Sequence, residues 1–144
     1  MPIVASFIAG FLSTLIFHQG LVALLAAGGA PVTPYNMSAT WPLGVPQVIS
    51  LAFWGGVWGL ILWFVIGVRE RLAYWGYAAL IGAVGPTVVA MAVVFPLKGI
   101  AVTATKIGAG LVLNAVWGLG VAILMKIYWV TLHRSADEKA GRRV

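Results

Sequence analysis

Residues 47–68 read QVISLAFWGGVWGLILWFVIGV, a stretch without one charged side chain, closed by Arg69-Glu70-Arg71. A bilayer core of about 30 Å takes about 20 apolar residues in a helix, and this run has that length. It lacks the strict alternation of apolar and polar positions that a barrel strand requires. Three further runs share both properties: Ile3–Ala27, Leu72–Phe95 and Ile107–Val130. Hydrocarbon offers no water to unpaired N–H and C=O groups, so such runs cross as helices. The predicted fold is therefore all-α: a polytopic membrane four-helix bundle in one domain, residues 1–144. Its spans are 3–27, 47–68, 72–95 and 107–130.

Composition agrees. Hydrophobic residues make up 62% of the chain and charged residues 8%, with a mean hydropathy of +1.03. A soluble domain carries roughly a quarter charged residues, so this chain has too little polar surface for a water-soluble globule. Disorder is excluded as well, since it needs low hydrophobicity. The first run is longer than the apolar region of about 7–15 residues in a signal peptide, and no Lys or Arg precedes it. It is expected to stay as a helix.

Nine Lys and Arg stand against three Asp and Glu, a formal charge of +6. The basic residues sit at the ends of the apolar runs and form no stripe with interleaved aromatics, so no nucleic-acid partner is expected. The outer Pro-rich loop, 28–46, carries Pro31, Pro34, Pro42 and Pro46 and no charge. Placing both termini inside puts Arg69, Arg71, Lys126, Arg134, Lys139, Arg142 and Arg143 at the cytoplasmic face. Only Lys98 and Lys106 are then left outside, and the positive-inside rule selects this orientation. The basic tail, 131–144, and its neighbours would meet anionic lipid headgroups there. Trp63, Tyr74, Trp75, Tyr128 and Trp129 fall near the same interface, where amphipathic rings anchor helices.

Two tetrapeptides match: Val57-Trp58-Gly59-Leu60 and Val116-Trp117-Gly118-Leu119. Both lie near the middle of spans that run the same way. One reading is a pair of pseudo-repeated helical hairpins, a pattern some transporters use; the other is chance recurrence in a Gly-rich apolar alphabet. Gly55 and Gly59 form a small-xxx-small pair, and with Trp58, Trp117 and Gly118 they are the expected helix-packing residues. Ala5, Ala9 and Ser13 form a similar ladder, and Pro86 interrupts the helical hydrogen bonding of span three.

Glu70, Asp137 and Glu138 all lie outside the spans, so no intramembrane carboxylate can relay protons or bind a coupling cation. The chain has no cysteine, which removes disulfides, thiol chemistry, iron–sulfur ligation and Cys-based zinc sites. No catalytic or metal site is expected. His18 is a lone imidazole; a bis-His haem would need a second membrane His, and the only other is His133 in the tail, so no cofactor is expected either. The polar groups that remain in the outer half of the spans are His18, Gln19, Ser50, Thr87 and Asn114. His18 lies about 14 Å from the Ala27 end of its run, at 1.5 Å per residue. Leaving such groups unpaired is costly, so they are expected to converge. Gly10, Thr14 and His18 share a face at i, i+4 spacing, as do Gly110, Asn114 and Gly118. One reading is an outward polar cavity; the other is hydrogen bonding between helices.

The stretches Phe17-His18-Gln19-Gly20, Pro42-Leu43-Gly44-Val45-Pro46-Gln47 and Phe53-Trp54-Gly55-Gly56-Val57-Trp58-Gly59 resemble an uncharacterised group of small four-helix bacterial inner-membrane proteins. The resemblance covers mostly the first hairpin and its loop. It implies a bacterial inner-membrane location and carries no activity to transfer. The expected function is non-enzymatic: a structural or accessory subunit that acts through helix packing, as a homo-oligomer or in a larger membrane complex. The alternative is a small channel or transporter for a neutral or anionic solute, with its cavity around His18 and Asn114.

Overall fold

A computed structural model describes residues 2–141, with side chains through residue 132. The tail side chains from His133 onward, Arg134 and Lys139 among them, and residues 142–144, which include Arg142 and Arg143, lie outside the described residues. Four long helices carry the fold: α1 (Pro2–Ala27), α2 (Gln47–Ile66), α3 (Arg71–Leu97) and α4 (Ala104–Gly141). Each is long and apolar enough to cross a membrane. A two-residue antiparallel pair, β1 (Ala39–Thr40) and β2 (Val45–Pro46), sits in the loop between α1 and α2.

Local chemistry sets the helix ends. At the end of α1, Gly29 takes φ +89°, and the N–H groups of Gly29 and Ala30 donate to the carbonyls of Ala26 and Leu25. This is a Schellman end, which favours glycine because a Cβ is strained in the left-handed region. The end of α3 repeats it: Gly99 at φ +65°, with Gly99 and Ile100 donating to Pro96 and Phe95. Thr103 Oγ1 accepts from the Lys106 N–H and caps the start of α4. That start lies three residues before the predicted one, and the helix runs on past 130 without a break to Gly141. α2 stops at Ile66, where the Gly67 N–H closes on the Trp63 carbonyl.

Both α1 and α3 contain a π turn, Thr14–His18 in the first and Ala90–Val94 in the second. A π turn adds a residue to the helical repeat. The buried positions of α1 therefore run Ser6, Ala9, Gly10, Ser13 and Thr14, then skip to Gln19 and Val22.

The helices pack chiefly as two pairs, α1 with α2 and α3 with α4. Both pairs approach backbone to backbone through glycine. A Cβ on Gly10 would meet the Gly55 carbonyl and lie 2.9 Å from Gly59 Cα. A Cβ on Gly118 would meet the Ala78 carbonyl and lie 3.0 Å from Gly82 Cα. Other glycines seat rings from a neighbouring helix: Phe7 against Gly56, Trp58 against Gly85, Phe17 against Gly120. Toward the Arg69 end the bundle thickens into an aliphatic core of Leu62, Ile66, Ala78, Val121 and Met125, with Tyr74 and Trp117.

Candidate functional site

The polar side chains of the bundle resolve into separate hydrogen-bonded groups. Asn114 Nδ2 donates to Thr87 Oγ1 at 2.9 Å and ties α4 to α3. On α1, Gln19 Nε2 lies 3.4 Å from His18 Nδ1. Among the described residues no hydrogen bond joins these two pairs, and Ser50, half-buried near the start of α2, belongs to neither. The five groups share one half of the bundle but do not form a single cluster.

The shared face expected for Gly10, Thr14 and His18 is displaced by the π turn. Its extra residue rotates the rest of α1, so Gln19 continues the buried face and is 6% exposed, while His18 turns to a half-buried flank. The corresponding face of α4 stays in register. Gly110 packs on Thr87 and Met91, Asn114 on Thr87 and Gly82, and Gly118 on Ala78 and Gly82. Gly82 of α3 packs against the Asn114 backbone, and the Asn114 amide group is bonded to Thr87.

Sequence reasoning missed the strongest polar contacts between helices. Ser13 Oγ donates to the Trp117 carbonyl at 2.6 Å, and Trp117 Nε1 donates to the Gly10 carbonyl at 3.0 Å. Thr14 Oγ1 donates to that same Gly10 carbonyl. Tyr74 donates through its hydroxyl to the Ala122 carbonyl at 2.8 Å. The available signal was a Ser and a Trp at matching depth on two spans, which does not specify that the partner is backbone. Among the described residues every buried side-chain nitrogen and oxygen has a hydrogen-bond partner.

The loop between α1 and α2 is strapped to the C-terminal half of α1 by Tyr35. Its backbone N–H donates to Gln19 Oε1 at 2.7 Å, and its hydroxyl donates to the Leu15 carbonyl, inside the π turn, at 2.9 Å. Tyr35 has φ +49°, a strained setting for a non-glycine residue, and the two bonds hold it there.

At the opposite end the aromatic residues gather around cations. Trp63 stacks on Trp129, Lys126 Nζ lies 4.8 Å over the Tyr74 ring, and the Arg69 guanidinium lies 4.8 Å over Tyr77. Two grooves indent the outside of the bundle. One, of about 370 Å³, lies between α1 and α4 and is lined by Ile8, Leu12, Leu124 and Ile127 among others. The other, of about 330 Å³, lies between α3 and α4 against Val88, Met91 and Leu111. Both are almost wholly apolar, and neither reaches His18. Among the described residues, no group of three His, Cys, Asp or Glu side chains is placed to hold a metal ion. No family model, curated protein or solved structure matches the chain.

Proposed function

We propose that the protein is a non-enzymatic integral membrane protein, a structural or accessory subunit that works through lateral helix packing. One observation carries this reading: the middle of the bundle is closed. Helix backbones meet there through Gly10, Gly55 and Gly59 and through Gly82 and Gly118, and the buried polar atoms spend their hydrogen bonds on one another. A solute path needs polar groups left over to replace water, and no buried side-chain nitrogen or oxygen is left over among the described residues. Small residues at the crossings are the usual means of association in lipid, where apolar contact alone gives no drive.

The outer faces support membrane insertion. Large apolar side chains such as Leu24, Phe64, Leu80 and Ile127 point away from the bundle, which hydrocarbon accommodates and water does not. Arg69 and Lys126, beside the aromatic cluster, fit the cytoplasmic interface and its anionic headgroups. The termini then face the cytoplasm, and the resemblance noted above favours a bacterial inner membrane. Two pseudo-repeated hairpins are the proposed internal organisation. Supporting it are the matched glycine crossings, the π turn and the Schellman end that α1 and α3 both carry. The expected partners are the bilayer and either a second copy or a larger membrane complex.

The test has two arms. Protein reconstituted in liposomes should pass no small neutral or anionic solute beyond the rate of empty liposomes. Gentle extraction from native membranes should yield an assembly larger than one chain. Selective flux that is abolished by Asn114→Leu would replace this reading with the channel or transporter alternative around His18 and Asn114.

A further inference from the structure

The loop between α1 and α2 presents apolar side chains outward in a way that its fixed geometry makes deliberate. Trp41 is 94% exposed, Leu43 83% and Met37 66%. These residues do not sit on a loose segment. Ala39 pairs with Pro46 and Thr40 with Val45, Thr40 Oγ1 donates to the Val45 carbonyl, and the Gly44 N–H closes the tip on the Thr40 carbonyl. The base is tied to α2 by the N–H groups of Gln47 and Val48, which donate to Ser38 and Asn36, and to α1 through Tyr35. A rigid hairpin thus holds an indole and an isobutyl group away from the protein.

Where the tip lies follows from length. α2 has 20 residues, so it rises about 30 Å at 1.5 Å per residue, the thickness of the hydrocarbon core. Arg69 lies just past its inner end and fixes that end at the headgroups. Gln47 then stands at the outer boundary of the hydrocarbon. The strand Val45–Pro46 between Gln47 and the tip has two residues, which extend about 7 Å. The headgroup layer on one side is about 5–8 Å deep, from a total thickness of 40–45 Å. The turn adds about 3 Å more, so a hairpin that leans along the membrane surface keeps its tip within that layer, and an upright one carries it just past the rim. No Asp, Glu, Lys or Arg occurs anywhere in residues 1–68, so nothing in the loop requires bulk water.

We infer that the hairpin tip Trp41–Gly44 is an interfacial anchor, seated at the headgroup–acyl boundary of the outer leaflet through Trp41 and Leu43. Trp is the side chain best suited to that depth, with an apolar ring body and one N–H for the headgroups. The anchor carries no cation, so it takes uncharged and anionic lipid alike and does not respond to salt. It also fixes α1 and α2 in depth at the end that has no charged residue. The inference rests on the membrane reading above, and the experiment separates the two.

The chain has no native cysteine, so Leu43→Cys in the full-length protein gives one site for an environment-sensitive fluorophore with Trp41 intact. Ile61→Cys, exposed in the inner half of α2 about 8 Å from its Ile66 end, is the depth reference. Both are reconstituted in phosphatidylcholine vesicles that carry nitroxide lipids labelled at the headgroup or deep in the chain. At position 43 the shallow nitroxide should quench most, equally at low and high salt and with added phosphatidylglycerol, and aqueous iodide should quench little. Adding Trp41→Ala in that background should raise iodide quenching several-fold. At position 61 the deep nitroxide should dominate. Full iodide access at 43 with a deep position 61 would overturn the anchor and leave the membrane reading standing. Iodide access at both positions would defeat the membrane reading and the anchor with it. Protection at 43 that appears only in native membranes, with cross-linking to another protein, would also overturn the anchor in favour of protein docking.

Discussion

Substituting alanine for glycine should have opposite signs at different helical sites in this bundle. At Gly118 the new methyl would lie against the Ala78 carbonyl and 3.0 Å from Gly82 Cα. Carbon atoms settle at about 3.5–4.0 Å, so α3 and α4 must separate by about 0.5–1 Å. A gap of that size forfeits a quarter to a half of each facing atom pair's 0.1–0.2 kcal/mol; over some tens of pairs along the crossing the loss is about 1–3 kcal/mol. The facing atoms are backbone, so no side chain can yield instead. Gly10→Ala, against the Gly55 carbonyl and Gly59, should cost a similar amount. At Gly20, Gly76 and Gly108 a Cβ would meet nothing within 4 Å. Alanine there keeps the packing and gains helix propensity, up to about 1 kcal/mol. SDS titration in mixed micelles, followed by circular dichroism, measures all five variants on one scale. If Gly118→Ala and Gly10→Ala unfold at the same midpoint as Gly76→Ala, the backbone crossings are not what holds the helices together.

Ser13→Ala removes the 2.6 Å bond to the Trp117 carbonyl and should cost about 0.6 and at most about 1.7 kcal/mol in the same titration, the range for hydrogen bonds between membrane helices. Ser50→Ala, which breaks no such bond, should leave the midpoint unchanged. In a double-mutant cycle, Thr87→Val and Asn114→Leu should show a coupling of about 0.5–3 kcal/mol, because the two side chains bond only to each other; strict additivity would refute the pairing. Gln19→Ala removes the acceptor of the Tyr35 N–H. Hydrogen exchange at that amide should accelerate up to about tenfold, the equivalent of a net hydrogen bond of up to about 1.5 kcal/mol. An unchanged rate would show that the strap does not depend on Gln19.

The helices were readable from sequence because an apolar run long enough to cross a membrane has, read as a span, one backbone solution. Their ends were readable where one residue type carries the geometry, as at Gly28-Gly29. The contacts were not readable, for a related reason. Runs that are apolar on all sides, such as 47–66, mark no face as inward, so nothing in the pattern separates Gly59, which meets Gly10, from the open flank at Phe64. The π turn in α1 leaves no mark that spacing can detect, since Thr14-Leu15-Ile16-Phe17-His18 is compatible with an ordinary helix. One added residue there moved the buried face from His18 to Gln19. Thr87 and Asn114 were expected to converge with His18, Gln19 and Ser50. They meet each other because they share a depth on adjacent helices, while Gln19 is turned to the loop by Tyr35.

The two Val-Trp-Gly-Leu segments end in unequal seams, and the difference says where the bundle is weakest. Each tryptophan reaches across to the other pair: Trp117 of α4 onto α1, Trp58 of α2 onto α3. Trp117 is buried, bonds to the Gly10 carbonyl and offers its own carbonyl to Ser13. Trp58 is half-buried and only rests its ring on Gly85. Among the described residues no side-chain hydrogen bond links α2 to another helix, so contact alone holds the α2–α3 seam, whereas two hydrogen bonds close the α1–α4 seam. If the two pairs move against each other, they should part at α2–α3 and pivot at α1–α4. Spin labels at exposed positions on either side of each seam measure this, with Leu51 and Val88 for the first and Ile16 and Val112 for the second. The 51–88 distance distribution should be the broader of the two, and Trp58→Ala should widen it further while leaving 16–112 unchanged. Equal widths in the parent protein would mean that the hydrogen bonds of Trp117 and Ser13 add nothing to the rigidity of their seam.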